Sequence, residues 1–358
     1  MNEKKCALIL AGGKGTRLWP ISNSKIPKQF LNLYNSNIMI NETIERIKEI
    51  FEYENIFVVV NIEQKELAYK YIDYNIPREN IIVEPMAKNT AMCIFYASIV
   101  IEKKIKNSII SIFSSDHYIG DSECFVKTIK KGIQIAGDEN KIVTIGINPT
   151  YPSTEFGYIK FLKQLDNDIY NVEEFKEKPN IENAIKYIKN GNYLWNSGMF
   201  IIKLDVLYLN FKKYLPQIYK FKDYISQIYE NELSKIGEVY KKVESISIDK
   251  GILEKTQDIK MIKGFFEWYD IGNISDFFKT KQKDVEGNVK IGNSFVYKVQ
   301  NSNIYNDEKD KLIVIVGNED INVINCNNVI FVSNKNKSEL ISESIRKIEE
   351  NEIINKFL

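Results

Sequence analysis

Apolar positions along this chain follow two rhythms that alternate through its first 150 residues. The runs CALILA (6–11), IFVVVN (56–61), IIVE (81–84), SIISIF (108–113) and KIVTIGI (141–147) are short and nearly uninterrupted. Strands covered on both faces have this texture. Between them the spacing changes. Ile40, Ile44, Ile47 and Phe51 recur at intervals of four, three and four behind Asn41, which predicts an amphipathic helix. EQKELAYKYIDY reads as another helix, and two more begin at Thr90 and Glu123. Strand–helix alternation of this length predicts an α/β fold with a doubly wound, mostly parallel sheet. Ligands of such sheets bind beyond the carboxyl ends of the strands, so chemistry is expected in the loops that follow them.

The texture changes at about Val285. GNVKIGNSFVYKVQNSNIYN and KLIVIVGNEDINVINCNNVIFVSN are short β-rich runs broken by Asn, Gly and Asp, with no helix between them. A final helix presents Ile341, Ile345 and Ile348 on one face. The pattern predicts a main domain over 1–283 and a small β-rich domain over 284–358. No exact repeat period stands out in it. So few short strands bury little surface alone, so the tail is expected to dock on the main domain or on a second copy, as in a homodimer.

Bulk composition narrows the function classes. The 358 residues carry 49 Lys and Arg against 48 Asp and Glu, a formal charge of +1. No global field therefore favours nucleic acid or an anionic membrane. No apolar run approaches bilayer length, and the first one reads as a strand running into a glycine turn, not as a signal peptide. Four scattered cysteines without a CxxC pair fit small core residues in a reduced, cytoplasmic protein. The single histidine, His117, cannot by itself build a zinc site or a Ser-His-Asp relay.

Candidate chemistry concentrates in LILAGGKGTRLWPISNSKIPKQF (8–30). The dinucleotide fingerprint fails, because Leu18 stands where its third glycine belongs. The Walker pattern fails as well, since Lys14 precedes Gly15 and Thr16. What remains is a turn after a strand whose backbone N–H groups are able to cradle phosphates, with Arg17 and Lys28 adding charge. Glycines also mark tight turns of every kind, with incidental cations beside them.

The full stretch resembles the signature of the nucleotide-sugar pyrophosphorylases, nucleotidyltransferases that join a sugar 1-phosphate to an NTP. Its Pro27-Lys28-Gln29-Phe30-Leu31 is similar to the branch acting on mannose 1-phosphate with GTP. Further stretches follow in the family's order: EPMAKNTA (84–91), SSDHYI (114–119), TEFGYIK (154–160), FKEKP (175–179), NSGMF (196–200), ISIDKGILEK (246–255) and WYDIGN (268–273). The resemblance covers essentially the whole chain and implies a Rossmann-like nucleotidyltransferase sheet. It implies that Gly12, Gly13, Gly15, Thr16, Glu84, Lys88, Asn89 and Thr90 bind the nucleotide. Asn89 and Thr90 suit an N-cap, and an open helix N-terminus favours anions. It further implies that Gly157, Glu177, Lys178 and Asn196 meet the sugar, and that Asp116 and Asp270 hold a metal. Arg17, Lys28 and Asp116 would carry the catalysis. ISIDKGILEK receives no role.

Three departures stand out. Lys88 replaces a common arginine and lacks its bidentate fork. Ser114-Ser115 stands where proline and a small residue are usual, and Asn273 where a small hydroxyl residue is usual. The implied reaction is attack of the sugar phosphate oxygen on the α-phosphorus of GTP, giving GDP-mannose and pyrophosphate. Repulsion between anions is its main barrier, so it needs cations, Mg²⁺ or a similar divalent ion among them, more than a base. Two alternatives stay open: a guanylyltransferase for another manno-configured sugar such as a heptose, and a silent sensor of sugar nucleotides. The chain ends at Leu358, without the second half that bifunctional relatives use for phosphomannose isomerisation, so that activity is expected to be absent.

Overall fold

The computed structural model of the chain describes residues 4–13, 15, 18–23, 25–34, 37–166, 168–229, 232–337 and 339–357. They form two compact units: Met1–Gly12, Ile40–Ser115 and Ile119–Trp268 in the first, Gly13–Met39, Asp116–Tyr118 and Tyr269–Leu358 in the second. Strands β1 (Lys4–Leu10), β2 (Ile56–Asn61), β3 (Ile81–Glu84) and β4 (Ser108–Ser114) occur where the apolar runs predict them. A short β5 (His117–Ile119) follows, then β6 (Ile142–Ile147), β7 (Tyr158–Asp166), β8 (Ile169–Lys176), β9 (Tyr193–Lys203), β10 (Ile259–Gly264) and a short β11 (Trp268–Asp270). Nine of these make one sheet in the order β3-β2-β1-β4-β9-β6-β10-β8-β7, and β5 pairs with β11 in a separate ribbon.

β1 lies between two parallel neighbours, with Leu8 opposite Phe57 on one side and Ile112 on the other. All three side chains are fully buried, which is why the run admits no polar residue. Beyond β4 the sheet becomes mixed, because β9 runs antiparallel to both β4 and β6. Helices α1 (Met39–Ile47), α2 (Lys65–Tyr71), α3 (Asn89–Lys104) and α4 (Ser122–Glu139) follow the predicted alternation. α4 is started by Asp121, whose carboxylate accepts from the Cys124 N–H at 2.9 Å. α3 is buried from Ala91 to Ile101, so it packs as a core helix and not as an amphipathic surface one.

The second unit holds β12 (Val289–Ile291), β13 (Ser294–Tyr297), β14 (Asn303–Asn306), β15 (Ile313–Val316), β16 (Ile321–Cys326) and β17 (Val329–Asn334). β12, β14 and β16 stack in parallel, as do β13 and β15, while β17 returns antiparallel to β16. This stacking contains a repeat that the sequence reading lacks. Asn303-Ile304-Tyr305-Asn306 lies over Asn322-Val323-Ile324-Asn325, with partners 19 residues apart. Asn303 Nδ2 donates to Asn322 Oδ1 at 2.8 Å, and Asn325 Nδ2 to Asn306 Oδ1 at 2.9 Å. Two asparagines per rung are all that recurs, too little to stand out as a period.

Candidate active site

In the second unit the tail forms one core with the opening stretch. Leu18, Trp19, Ile21, Leu33 and Met39 pack with Ile271, Ile274, Phe277 and Phe278, and with Val289, Ile324, Cys326, Ile341 and Ile345. On this base sits a polar group. Pro27 leads into a short 3₁₀ turn, Lys28–Phe30, which buries the Lys28 side chain. Its ammonium lies 2.6 Å from Asp116 Oδ2 and 3.8 Å from Asp270 Oδ1, and it donates to the Ile271 carbonyl at 2.8 Å. The ribbon of β5 and β11 explains the meeting of the two acids, since Asp116 immediately precedes one strand and Asp270 ends the other.

Gly15 is required here. Its φ is +66°, and a Cβ would stand 2.8 Å from the Lys28 backbone nitrogen. Gln29 Nε2 donates to the Gly13 carbonyl at 3.0 Å, holding the loop from the other side. Thr16 and Arg17, expected to bind phosphate, lie outside the described residues. Asp116, His117 and Asp270 each place a ligand atom within 4.8 Å of the others. Two hard carboxylate oxygens suit a divalent cation such as Mg²⁺ or Mn²⁺, and the observation that Lys28's cation is already drawn between them fits that use. Asn273, the departure that ends WYDIGN, caps the following helix by accepting from the Asp276 N–H at 3.0 Å. The cap replaces what a small hydroxyl residue would supply.

The first unit carries the other candidates. Gly12 follows β1, and Glu84 Oε2 lies 3.5 Å from where a Gly12 Cβ would be. Glu84 is 4% exposed, and Oε1 accepts from the Tyr240 hydroxyl at 2.9 Å. Burial raises its carboxyl to about 7, against the hydrogen bond from Tyr240. The helix start departs from expectation. Asn89 takes a left-handed φ of +62°, and Lys88, the residue at the cap, makes no capping bond with its side chain. Thr90 is no cap either, because its hydroxyl accepts from the Ile248 N–H at 2.9 Å. The Thr90 N–H is taken by Asn89 Oδ1 at 2.8 Å and the Ala91 N–H by the Ile246 carbonyl at 3.2 Å, so the first turn of α3 is not the open N-terminus expected to receive an anion.

Gly157, Glu177 and Asn196 meet in the same unit. A Cβ on Gly157 would fall 2.7 Å from Glu177 Oε2 and 3.3 Å from the Asn196 Cβ, so the glycine leaves room for a carboxyl group. The Glu177 side chain is 13% exposed, with the Lys178 ammonium 3.9 Å away. Burial, then the nearby Asp249, push its carboxyl up to about 7. Lys178 itself is exposed, at a φ of +47°. Asn196 Nδ2 donates to Asp249 Oδ1 at 3.1 Å, and its Oδ1 accepts from Thr144 and Gly198. Asp249, Glu254 and Tyr240 were not singled out from the sequence. The stretch ISIDKGILEK was the available signal for the first two.

Known proteins resemble this chain over most of its length. The model of the nucleotidyl transferase family matches residues 6–287. A mannose-1-phosphate guanylyltransferase of Salmonella montevideo is 33% identical over 353 residues, 95% of this chain and 73% of its own. One from Klebsiella pneumoniae is 31% identical over 359 residues, with 96% and 74% covered. Among solved structures, one from Thermus thermophilus, titled a mannose-1-phosphate geranyltransferase, superposes with a TM-score of 0.87 at 27% identity, covering 97% of this chain and 99% of its own. Among the described residues no helix is long and apolar enough to cross a membrane. The chain therefore belongs to the nucleotidyl transferase family, in its mannose-1-phosphate guanylyltransferase branch.

Proposed function

We propose that this protein transfers GMP from GTP to α-D-mannose 1-phosphate, releasing pyrophosphate. The observation that carries the reading is the Lys28–Asp116–Asp270 group on the glycine turn, in a chain about 30% identical to named mannose-1-phosphate guanylyltransferases. An oxygen of the sugar phosphate forms a bond to the α-phosphorus of GTP, and the bond to the β-phosphate oxygen breaks in line. That oxygen is already anionic at neutral pH, so no histidine is needed as base.

Gly12, Gly13 and Gly15 present backbone N–H groups to the triphosphate, and Arg17 and Lys28 supply cationic charge. Glu84, Lys88, Asn89 and Thr90 form the rest of the nucleotide side. Gly157, Glu177, Lys178 and Asn196 receive the sugar. Asp116 and Asp270 would hold Mg²⁺, which when bound lowers the repulsion between the reactants and draws off charge from the leaving group. Lys28 balances the two carboxylates from within their own group.

The family match ending at residue 287 supports a catalytic region over 1–283 and a small domain over 284–358. Four cysteines without a disulfide fit the cytoplasm, and the exposed Phe295, Tyr297, Val314 and Val316 of the tail fit a contact with a second copy in a homodimer. The test is pyrophosphate release over a grid of NTPs and sugar 1-phosphates. Preference for GTP with mannose 1-phosphate is expected. Preference for a heptose phosphate would move the substrate, and no release from any pair would leave a sensor of sugar nucleotides.

A further inference from the structure

Residues 246–254 contact both candidate substrate sides of the first unit. The Ile246 carbonyl accepts from the Ala91 N–H at 3.2 Å, and the Ile248 N–H donates to Thr90 Oγ1 at 2.9 Å. A π turn, Asp249–Leu253, follows, closed by the Glu254 N–H donating to the Asp249 carbonyl at 2.8 Å. In an α-helix, at about 100° per residue, a side chain five positions on would point about 140° away. The wider turn brings Asp249 and Glu254 towards the same side, and such turns recur at functional sites. Buried Gly251, Ile252 and Leu253 anchor it.

We infer that Asp249 and Glu254 are positioning residues for the sugar 1-phosphate, Asp249 acting through Asn196 and Glu254 through Glu177. The inference rests on the reading of Asn196 and Glu177 as sugar contacts. Asn196 Oδ1 is held by two donors, Thr144 Oγ1 and the Gly198 N–H, each at 3.2 Å. Its Nδ2 donates to Asp249 Oδ1 at 3.1 Å. An amide nitrogen has two hydrogens, so Asp249 fixes which way the amide faces and leaves one N–H for a ligand acceptor. Glu254 Oε1 accepts from the Glu177 backbone N–H at 2.9 Å, next to the left-handed Lys178. That bond sets where the Glu177 carboxyl leaves the chain above Gly157. Glu254 is exposed, so its removal costs the fold little.

The experiment is steady-state kinetics of the full chain with GTP and mannose 1-phosphate, beside thermal melts. Glu254→Ala is expected to raise KM for the sugar phosphate about fivefold, with KM for GTP and the melting temperature unchanged, and Glu254→Gln to restore it. Asp249→Ala should raise the same KM about tenfold, Asp249→Asn less, and the Asn196→Ala/Asp249→Ala double variant no further than Asn196→Ala alone. A sugar KM within twofold of wild type in both alanine variants overturns the inference, and so does an equal rise in both KM values. If Asp249→Ala fails to fold, the Glu254 pair decides. Asn196→Ala without effect on the sugar KM would bring down the sugar-contact reading and the inference with it. A rise in Asn196→Ala with none in the other two would bring down the inference alone.

Discussion

The nine-stranded sheet of the first unit draws its core from runs that are contiguous in sequence, whereas the second unit joins distant pieces. Leu18 and Trp19, Ile271 to Phe278, and Val289 to Ile345 meet in one core there. In the first unit the local pattern and the final packing agree, and each strand announces its own burial. In the second, the loop that carries Lys28 rests on a β tail that begins more than 250 residues later and contains none of the family motifs. Absence of a motif therefore says little about whether a segment is needed for the chemistry.

The largest effect expected from this contrast comes from a truncation after Lys283. It removes Val289, Ile324, Cys326, Ile341 and Ile345 from beside Leu18 and Trp19, each loss of a buried aliphatic side chain costing about 2–5 kcal/mol. Turnover should vanish while circular dichroism keeps the α/β signal of the sheet unit. A soluble truncation with turnover near wild type would show that the loop holds its shape without the tail.

That difference also marks what the sequence made legible. Cys6–Ala11, Ile56–Asn61 and Ile81–Glu84 could be read as strands because both faces of each are buried. Asp116 and Asp270 could be paired only through the resemblance, since no local pattern brings residues 154 positions apart together. The Asn303–Asn322 rung escaped because a stacked coil needs only compatible residues at its corners, not a repeated sequence. Glu254 escaped because an exposed glutamate in a charged stretch looks like solvated surface.

Within the second unit, Asp116→Asn should lower kcat about a hundred- to a thousandfold, with some fall in melting temperature because buried Lys28 loses its anion at 2.6 Å, and excess chelator should abolish turnover. Turnover in chelator close to the untreated rate would refute the metal assignment. Arg17→Ala and Lys28→Ala should each depress kcat/KM by about two orders of magnitude. Lys28→Ala also leaves the acids without the cation at 2.6 Å, so it should lower the melting temperature. Arg17→Ala within a few-fold of wild type would return Arg17 to the role of an incidental cation, and Lys28→Ala within a few-fold would leave Lys28 only the role of counter-charge to the two acids.

The first unit offers a pH test of its own. Glu84 is raised from 4.5 to about 7 by burial, so the folded state binds its proton more tightly than the unfolded chain does. The stability it contributes is complete below about 4.5 and is lost as pH rises towards about 7. Over that window the loss is about 3 kcal/mol, from the difference between 7 and 4.5 at about 1.4 kcal/mol per pH unit. Glu84→Gln keeps an acceptor for the Tyr240 hydroxyl and removes the titration. Urea melts of the pair should diverge as pH rises, with the variant the more stable at pH 8. Glu177 titrates in the same sense in both proteins, so the difference isolates Glu84.

The smallest effect belongs to the rung of the tail. Asn322 is 1% exposed; its Oδ1 accepts from Asn303 and its Nδ2 donates to Ser333 Oγ at 3.1 Å. Asn322→Ala leaves the buried Asn303 amide without that acceptor, a loss of about 1–2 kcal/mol. The substitution touches no strand of the large sheet, so it should lower the unfolding free energy of the second unit alone. If the units unfold separately, urea melts should show one transition shifted and the other fixed. If both shift together, the chain unfolds as one cooperative body, and the contrast between a locally built unit and a composite one holds for their sequences but not for their stability.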